Sequence, residues 1–256
     1  MRGRLLSVFS VLSVLYFGMP SPPTPPPKAV VLLSGGMDSA LTAVIAQRAG
    51  FDVHALSVRY GQRHALELEA ARRVAATLGI RHHVVIDLDL RAFGGSALTS
   101  EVPVPKDTPM AEIGARVPAT YVPARNTIFL SLALAWAETL GARDAFIGAN
   151  ALDYSGYPDC RPEYFEAYAR MADLATRAGV EDGVRLRIHA PLLRLTKSEI
   201  VSRGLALGLD FGITSTCYDP APDGAVCGRC EACRLRLKGF EEAGLPDPAR
   251  YQAAHA

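Results

Sequence analysis

The chain has 256 residues, of which 49% are hydrophobic, and its formal net charge is +1. This length suits one α/β domain with an appendage, and the hydrophobic share suffices for a sizeable core. The near-neutral charge gives no bulk electrostatic case for binding nucleic acid or an anionic membrane.

The N-terminal segment 1–28 fits the rest of the chain poorly. Two arginines precede an apolar run over 5–17, and residues 20–27 are mostly proline. The run is too short to span a bilayer but long enough for the apolar region of a signal peptide, although no small-residue cleavage site follows it. We expect 1–28 to be a non-conforming extension, with translation starting at Met19 and a short, stiff proline tail after it.

The first predicted elements are a strand, a glycine-rich turn and a helix. Residues 29–33 are apolar, as in a buried strand of a parallel sheet. The turn Ser34-Gly35-Gly36-Met37-Asp38-Ser39 follows, and we expect Asp38 or Ser39 to cap a helix with Gly50 just past its end. Such a turn directs unpaired N–H groups and a positive helix end at an anion, and glycine lets phosphate approach the backbone. The pattern therefore predicts a phosphate-binding loop, with an ordinary tight turn as the alternative.

This loop is neither a Walker A loop nor a dinucleotide fingerprint, because it lacks their glycine and lysine spacing. It resembles the pyrophosphate loop of the N-type ATP pyrophosphatases, which cleave ATP between the α and β phosphates and leave AMP on a substrate oxygen. The resemblance implies ATP as a substrate and Mg²⁺ held by the Asp38 carboxylate. The predicted ATP-binding residues are Leu33, Ser34, Gly35, Gly36, Met37, Asp38, Ser39, Ala40, Leu41, Thr42 and Ala43.

The later elements alternate between strands and helices. We expect further strands at 53–58, 83–87, 144–148 and 185–189. We expect further helices at 65–78, 127–140, 162–178 and 196–208, the last opened by the capping-box pattern Thr196-Lys197-Ser198-Glu199. Residues 94–118 form a polar excursion containing glycine and proline. The alternation predicts a doubly wound parallel α/β sheet over 29–212, whose ligands gather at the carboxyl ends of the strands.

The C-terminal region 213–256 contains four of the five cysteines. Cys217, Cys227, Cys230 and Cys233 have the spacing Cys-x9-Cys-x2-Cys-x2-Cys. Ligands two residues apart suit the tetrahedral coordination of one structural Zn²⁺. Disulfides are the alternative, disfavoured because the last three cysteines lie too close in sequence to pair without strain. The neighbouring basic residues are expected to offset the charge of the thiolates; they are Arg229, Arg234, Arg236 and Lys238.

Several stretches together resemble the 7-cyano-7-deazaguanine synthase family over almost all of 28–251. They are Tyr60-Gly61-Gln62-Arg63-His64, Tyr121-Val122-Pro123-Ala124-Arg125-Asn126, the segment 153–161 and the cysteine segment 217–234. The resemblance implies a fold like that of the adenine nucleotide alpha-hydrolases and an ATP-dependent C–N ligase of queuosine biosynthesis. It would convert 7-carboxy-7-deazaguanine and ammonia into the 7-cyano product by two successive adenylations. A homodimer is also implied.

The resemblance and the residue chemistry suggest roles within the site. We expect Asp38 to hold Mg²⁺, and Lys197 and Arg125 to stabilise charge on phosphate. The alternatives are a solvated helix-terminal lysine for Lys197 and a structural ion pair for Arg125. The expected substrate-binding residues are Asp153, Tyr154, Tyr157, Asp159 and Arg161, unless this loop only caps and turns. Cys160 is expected to pack rather than react, and His64 is the one histidine of interest.

Two other functions remain open at this point. A tRNA thiolase with the same loop would need an RNA-binding surface and a reactive sulfur-carrying cysteine. A non-enzymatic zinc-knuckle module for nucleic acid would leave the glycine-rich loop unexplained. Four zinc thiolates and an ATP site suit a reducing cytoplasm, so the expected partners are small molecules, without nucleic acid or membrane.

Overall fold

The protein is described here by a computed structural model that covers residues 24–62, 66–152 and 157–253. The expected start at Met19 and the roles predicted for Asp153, Tyr154 and His64 lie outside the described residues.

The sheet has five parallel strands: β1 (Lys28–Leu32), β2 (Asp52–Arg59), β3 (His82–Asp87), β4 (Asp144–Phe146) and β5 (Arg187–His189). Their spatial order is β3-β2-β1-β4-β5, with Ala29 aligned with Val53 on one side and with Asp144 on the other. The chain runs outward from β1 to β3 and then returns to place β4 beside β1. The order therefore reverses between β1 and β4, the position where ligands bind in doubly wound sheets.

Seven α-helices surround this sheet in the described part of the chain. They are α1 (Met37–Arg48), α2 (Leu66–Thr77), α3 (Arg125–Leu140), α4 (Pro162–Ala175), α5 (Arg177–Asp182), α6 (Lys197–Ala206) and α7 (Glu231–Glu242). None of these helices is long and apolar enough to cross a membrane.

Helices cover both faces of the sheet, which confirms the doubly wound prediction. In β1, Ala29 and Val31 pack in a core with residues of α1, α2, α6 and α7. Val30 and Leu32 point the other way, into a core with residues of α3 and α4. Because both faces are buried, β1 needs apolar side chains at consecutive positions rather than at alternate ones.

The predicted cap of α1 is wrong. The helix begins at Met37, two or three residues earlier than expected, and Gly36 is its N-cap without a side-chain cap. The Ser39 hydroxyl instead donates to the Gly36 carbonyl at 3.0 Å, and the Asp38 carboxylate accepts hydrogen bonds from Lys197. Both side chains are therefore occupied elsewhere, which leaves the N–H groups of the first turn to other acceptors.

Two later expectations have different outcomes. The helix predicted over 162–178 is broken at Thr176, whose hydroxyl accepts from the Gly179 amide at 3.1 Å and so caps a second helix, α5. The capping box of α6 is confirmed, because Thr196 and Glu199 each accept from the other's backbone amide.

The excursion 94–118 lies partly against the cysteine segment, through a bridge between Lys106 and Cys230.

Candidate active site and metal centre

A cavity of about 200 Å³ opens at the carboxyl ends of β1, β2 and β4. The glycine-rich loop forms one wall, and the residues after β4, from Ile147 to Asn150, form another. The Asn150 amide donates to the carbonyls of Leu192 (3.1 Å) and Leu195 (2.6 Å), which ties this wall to the chain before α6. The cavity therefore occupies the point where the strand order reverses.

The two serines brace the loop from within. The Ser34 amide donates to the Ser39 hydroxyl at 3.2 Å, and the two hydroxyl oxygens lie 3.1 Å apart. Gly35 has φ of +88°, and a Cβ there would lie 2.4 Å from the Ala71 nitrogen in α2. Only glycine therefore allows α2 to pack this close to the loop. A braced loop before a helix N-terminus has the geometry of a phosphate site.

The predicted ATP-binding residues divide into two groups. Those that line the cavity are Leu33, Ser34, Gly36, Met37, Asp38 and Ser39. Ala40, Leu41, Thr42 and Ala43 are buried within α1, and Gly35 packs on α2. The second group supports the shape of the loop rather than the surface of the cavity.

Lys197 and Asp38 form an ion pair inside the site, although 159 residues separate them. The Lys197 ammonium donates to both carboxylate oxygens, at 2.9 Å and 2.7 Å. Lys197 is only 3% exposed, because Gly239 of α7 packs on its stem. The alternative of a solvated helix-terminal lysine is therefore excluded. The pair places one positive and one negative group beside the phosphate loop.

Arg125 begins α3 and lies against Tyr60. The guanidinium Nη1 donates to the Tyr60 hydroxyl at 3.4 Å, and its carbon lies 5.7 Å from the centre of the ring. Ala124 precedes it in a left-handed conformation, with φ of +53°, which turns the chain into the helix. Arg125 lines the cavity, so its charge is available to a bound anion.

The predicted substrate-binding residues are only partly brought together. Tyr157 lines the cavity. Asp159 is buried behind it, and its Oδ2 accepts from the Asn126 amide at 3.0 Å. Among the described residues, its Oδ1 has no hydrogen-bond partner, and burial raises the pKa of this carboxyl. Arg161 is exposed at the N-cap of α4, where its Nε donates to the Pro158 carbonyl, away from the cavity lining.

Cys160 reaches the cavity, but its environment is unsuited to a nucleophile. Its sulfur accepts from the Asn126 side-chain amide at 3.2 Å, and burial raises the pKa of the thiol to about 12. The thiol is therefore protonated near neutral pH.

Cys160→Ala is expected to keep turnover within the same order of magnitude, because the thiol contributes packing and one weak hydrogen bond. The cost in unfolding free energy should be about 1 kcal/mol. Steady-state turnover and thermal melting test this prediction. Complete loss of turnover in a folded variant would contradict it.

The four C-terminal cysteines converge as their spacing predicted. All four are buried, and their sulfur atoms lie within 4.8 Å of one another. Backbone amides donate to the sulfurs, for example Cys227 N to Cys217 Sγ at 3.2 Å and Cys230 N to Cys227 Sγ at 3.3 Å. Such N–H···S contacts stabilise thiolates, so the cluster fits a tetrahedral metal ion with four sulfur ligands.

The neighbouring basic side chains have other partners than the sulfurs. Arg229 pairs with Asp107, and Arg234 donates to the Thr108 carbonyl. The third, Arg236, forms a buried pair with Asp247. Lys238 pairs with Glu242. The hydrogen bonds to the sulfurs come from backbone amides instead, and compensation of the thiolate charge by the basic residues stays a prediction. The three arginines fasten the excursion and the C-terminus around the cluster.

The predictions did not include several residues of the cavity wall. Glu67, Gln62, Phe129, Ser215, Thr216 and Tyr218 line it. Gln62 and Tyr218 belong to stretches that carried the family resemblance, which is the signal that would have found them. Glu67 had no such signal, because the sequence shows it only as one of two acidic residues in the first turn of α2.

The sheet, the loop facing a cavity and the cysteine cluster define a nucleotide-binding type of α/β protein with a candidate metal centre. The chain belongs to the QueC family, because the family model described as "Queuosine biosynthesis protein QueC" matches residues 28–244.

Two 7-cyano-7-deazaguanine synthases agree with this assignment by sequence identity. A 7-cyano-7-deazaguanine synthase from Paramagnetospirillum magneticum is 65% identical over 223 residues, covering 87% of this chain and 98% of the relative. The protein of the same name from Geobacter sulfurreducens is 61% identical over 224 residues, covering 88% of this chain and 93% of the relative. Among solved structures, the NMN synthetase from Francisella tularensis is similar with a TM-score of 0.46 and 22% identity, covering 87% of this chain and 79% of that one.

Proposed function

We propose that this chain is an ATP-dependent 7-cyano-7-deazaguanine synthase that converts 7-carboxy-7-deazaguanine and ammonia into the nitrile. The observation that carries the proposal is the 65% identity to a relative of that name, over nearly its whole length. The cavity supports it, because a phosphate-type loop, the Arg125 guanidinium and aromatic walls meet there, and Lys197 pairs with Asp38 of the loop.

The reaction removes both oxygens of a carboxylate, and neither leaves readily as hydroxide or oxide. Adenylation gives the first oxygen AMP as a leaving group, ammonia displaces it, and a second adenylation of the amide permits loss of the other oxygen. The protein's contribution is positioning and electrostatic stabilisation.

Each part of the site has a role in this scheme. The loop from Ser34 to Ser39 binds the pyrophosphate portion of ATP through backbone N–H groups. Lys197 and Arg125 stabilise the charge that develops on phosphate as the α–β bond breaks. Asp38 offers the carboxylate oxygen that Mg²⁺ prefers, and this ion neutralises phosphate charge when bound.

The substrate ring is proposed to lie between the aromatic residues of the cavity. Tyr60, Phe129 and Tyr157 line the cavity, and Tyr121, which lies outside this lining, packs on Tyr157 with its ring centre 5.5 Å away. A purine-like ring stacks favourably against such side chains. Asp153, Tyr154, Asp159 and Arg161 remain proposed contacts to its polar edges.

The cysteine cluster is proposed to bind one structural Zn²⁺. Four sulfurs fill a tetrahedral shell, which leaves no coordination position for a substrate. The proposal also includes a homodimer in the cytoplasm, where a reducing environment keeps thiols free. A tRNA thiolase is disfavoured, since the one cysteine outside the cluster has a raised pKa.

The test is a mass-spectrometric assay of the purified protein with ATP, Mg²⁺, ammonium and 7-carboxy-7-deazaguanine. Formation of the nitrile with AMP supports the proposal. Formation of the nitrile with ADP would overturn adenylation while keeping the substrate. No conversion by folded, ATP-binding protein would overturn the substrate assignment.

A further inference from the structure

Glu67 lies where the main cavity meets a smaller cleft. The cleft has a volume of about 10 Å³, and Tyr60, Glu67, Ser215 and Tyr218 are among the residues that line both spaces. Its additional walls are Leu66, Leu98, Cys217 and Pro220. A space of this size holds about one water-sized molecule. Ammonia and ammonium are the only water-sized reactants of the proposed reaction.

The position of Glu67 is set by the phosphate loop. Its backbone carbonyl would lie 2.5 Å from a Cβ at Gly35, so the first turn of α2 packs directly on the loop. Leu68, the next residue, is buried and anchors this turn. The half-buried Glu67 is therefore held between the site of ATP activation and the small cleft.

The environment of Glu67 raises the pKa of its carboxyl toward neutrality. Burial raises the pKa of this carboxyl to about 7, while the charge of Arg125 lowers it. The other titratable groups that line the cleft with it among the described residues are the hydroxyls of Tyr60 and Tyr218 and the thiol of Cys217. Burial raises the pKa of Tyr60, so that hydroxyl stays neutral near pH 7. Glu67 is thus the group of this wall that can both hold a cation and exchange a proton near pH 7.

We propose that Glu67 binds ammonium in the cleft and accepts its proton, so that ammonia is released next to the activated carboxyl group. This inference rests on the proposed function. An ionised carboxylate attracts NH₄⁺, and the transfer leaves a neutral carboxylic acid and neutral NH₃. Neither is held by charge, so the ammonia is free to move into the main cavity.

The step balances as a nucleophilic acyl substitution. One proton moves from NH₄⁺ to the Glu67 carboxylate, which frees the nitrogen lone pair. This pair forms the C–N bond at the carboxyl carbon of the acyl adenylate. The C–O bond to AMP breaks, and its electron pair leaves on the phosphate oxygen. A second proton then leaves the nitrogen to solvent, which gives the amide.

The test separates activation from ammonia use. Exchange of labelled pyrophosphate into ATP, with 7-carboxy-7-deazaguanine but without ammonium, reports adenylation alone. We expect Glu67→Gln to keep this exchange and its KM for the acid. Amide formation at pH 7 should fall by about 10²-fold, the size of a general-base contribution. This deficit should shrink as the pH rises, because free ammonia then replaces the missing base.

Glu69→Gln is the matched control. Glu69 lies two residues further along α2 and is exposed, so the same substitution should leave both exchange and amide formation unchanged. A raised KM for the acid in Glu67→Gln would mean that Glu67 recognises the ring, and would overturn the inference. A loss of amide formation that does not change with pH would also overturn the inference, since a merely structural role of Glu67 predicts such a loss.

The wild-type protein gives a test that needs no variant. If Glu67 accepts ammonium, KM expressed as total ammonium stays nearly constant from about pH 7.5 to about pH 8.5. A fall of about tenfold in this KM over that pH unit would mean that free ammonia enters without Glu67, and would overturn the inference. Wild-type protein without pyrophosphate exchange would overturn the proposed function itself, and this inference with it.

Discussion

Lys197→Met is expected to lower kcat for nitrile formation by about 10²- to 10³-fold, the loss seen when one preorganised donor to a developing anion is removed. The ammonium lies 2.7 Å from Asp38 Oδ2 at the edge of the phosphate loop. Methionine keeps the length of the stem that packs against Gly239. Pyrophosphate exchange measures the effect, because it isolates the step in which phosphate charge develops.

The single variant also leaves the Asp38 carboxylate without its cation. Removing one partner of a buried pair costs several kcal/mol, and Asp38 retains 20% exposure, so we expect a loss of about 3 kcal/mol in unfolding free energy. The double variant Asp38→Asn/Lys197→Met removes both charges and should recover most of this loss while remaining inactive. Recovery of activity together with stability would show that Lys197 only neutralises Asp38.

The elements that the sequence predicted correctly are those with local signals. All five strands begin and end within two residues of their predicted bounds, and β1, which is buried on both faces, is an apolar run. The capping box of α6 and the cysteine knuckle are likewise patterns of neighbouring residues. Each of these features depends on residues a few positions apart, so its pattern can be recognised in the sequence alone.

What the sequence did not reveal depends on distant residues. No local pattern brings Lys197 to Asp38, because the contact exists only when α6 packs beside the loop after β1. Because Asp38 is engaged there, it does not cap α1, and the local expectation of a capping side chain failed. The sequence likewise could not reveal the raised pKa of the Glu67 carboxyl, because that shift arises from burial in the folded protein.

The contacts of the basic residues near the cysteines also depend on residues that are distant in sequence. Arg236 is 2% exposed and donates to Asp247 and to the carbonyl of Phe211. In sequence it lies three positions from Cys233, which suggested a role in balancing thiolate charge. Helix α7 instead turns it toward the chain end, because that face of the helix meets 211–216 and 247.

Removal of the metal is expected to have the largest effect on the fold of the C-terminal region. Cys230→Ser replaces a fully buried ligand by a hydroxyl that binds Zn²⁺ poorly. Structural zinc contributes on the order of 10 kcal/mol of apparent binding free energy, which is comparable with the whole stability of a domain. Metal analysis should find one zinc per chain in the wild type and none in the variant.

The loss should reach the cavity, because the cluster supports part of its wall. Tyr218 adjoins Cys217 and lines the cavity, and its amide donates to Cys230 Sγ at 3.5 Å. We therefore expect the variant to be cleaved by proteases within 217–233 and to lose pyrophosphate exchange. Cys160→Ala, which removes a thiol outside the cluster, should retain one zinc per chain and resist cleavage. A Cys230→Ser protein that stays protease-resistant and active would refute a structural role for the metal, because the cavity wall at Tyr218 would then be ordered without it.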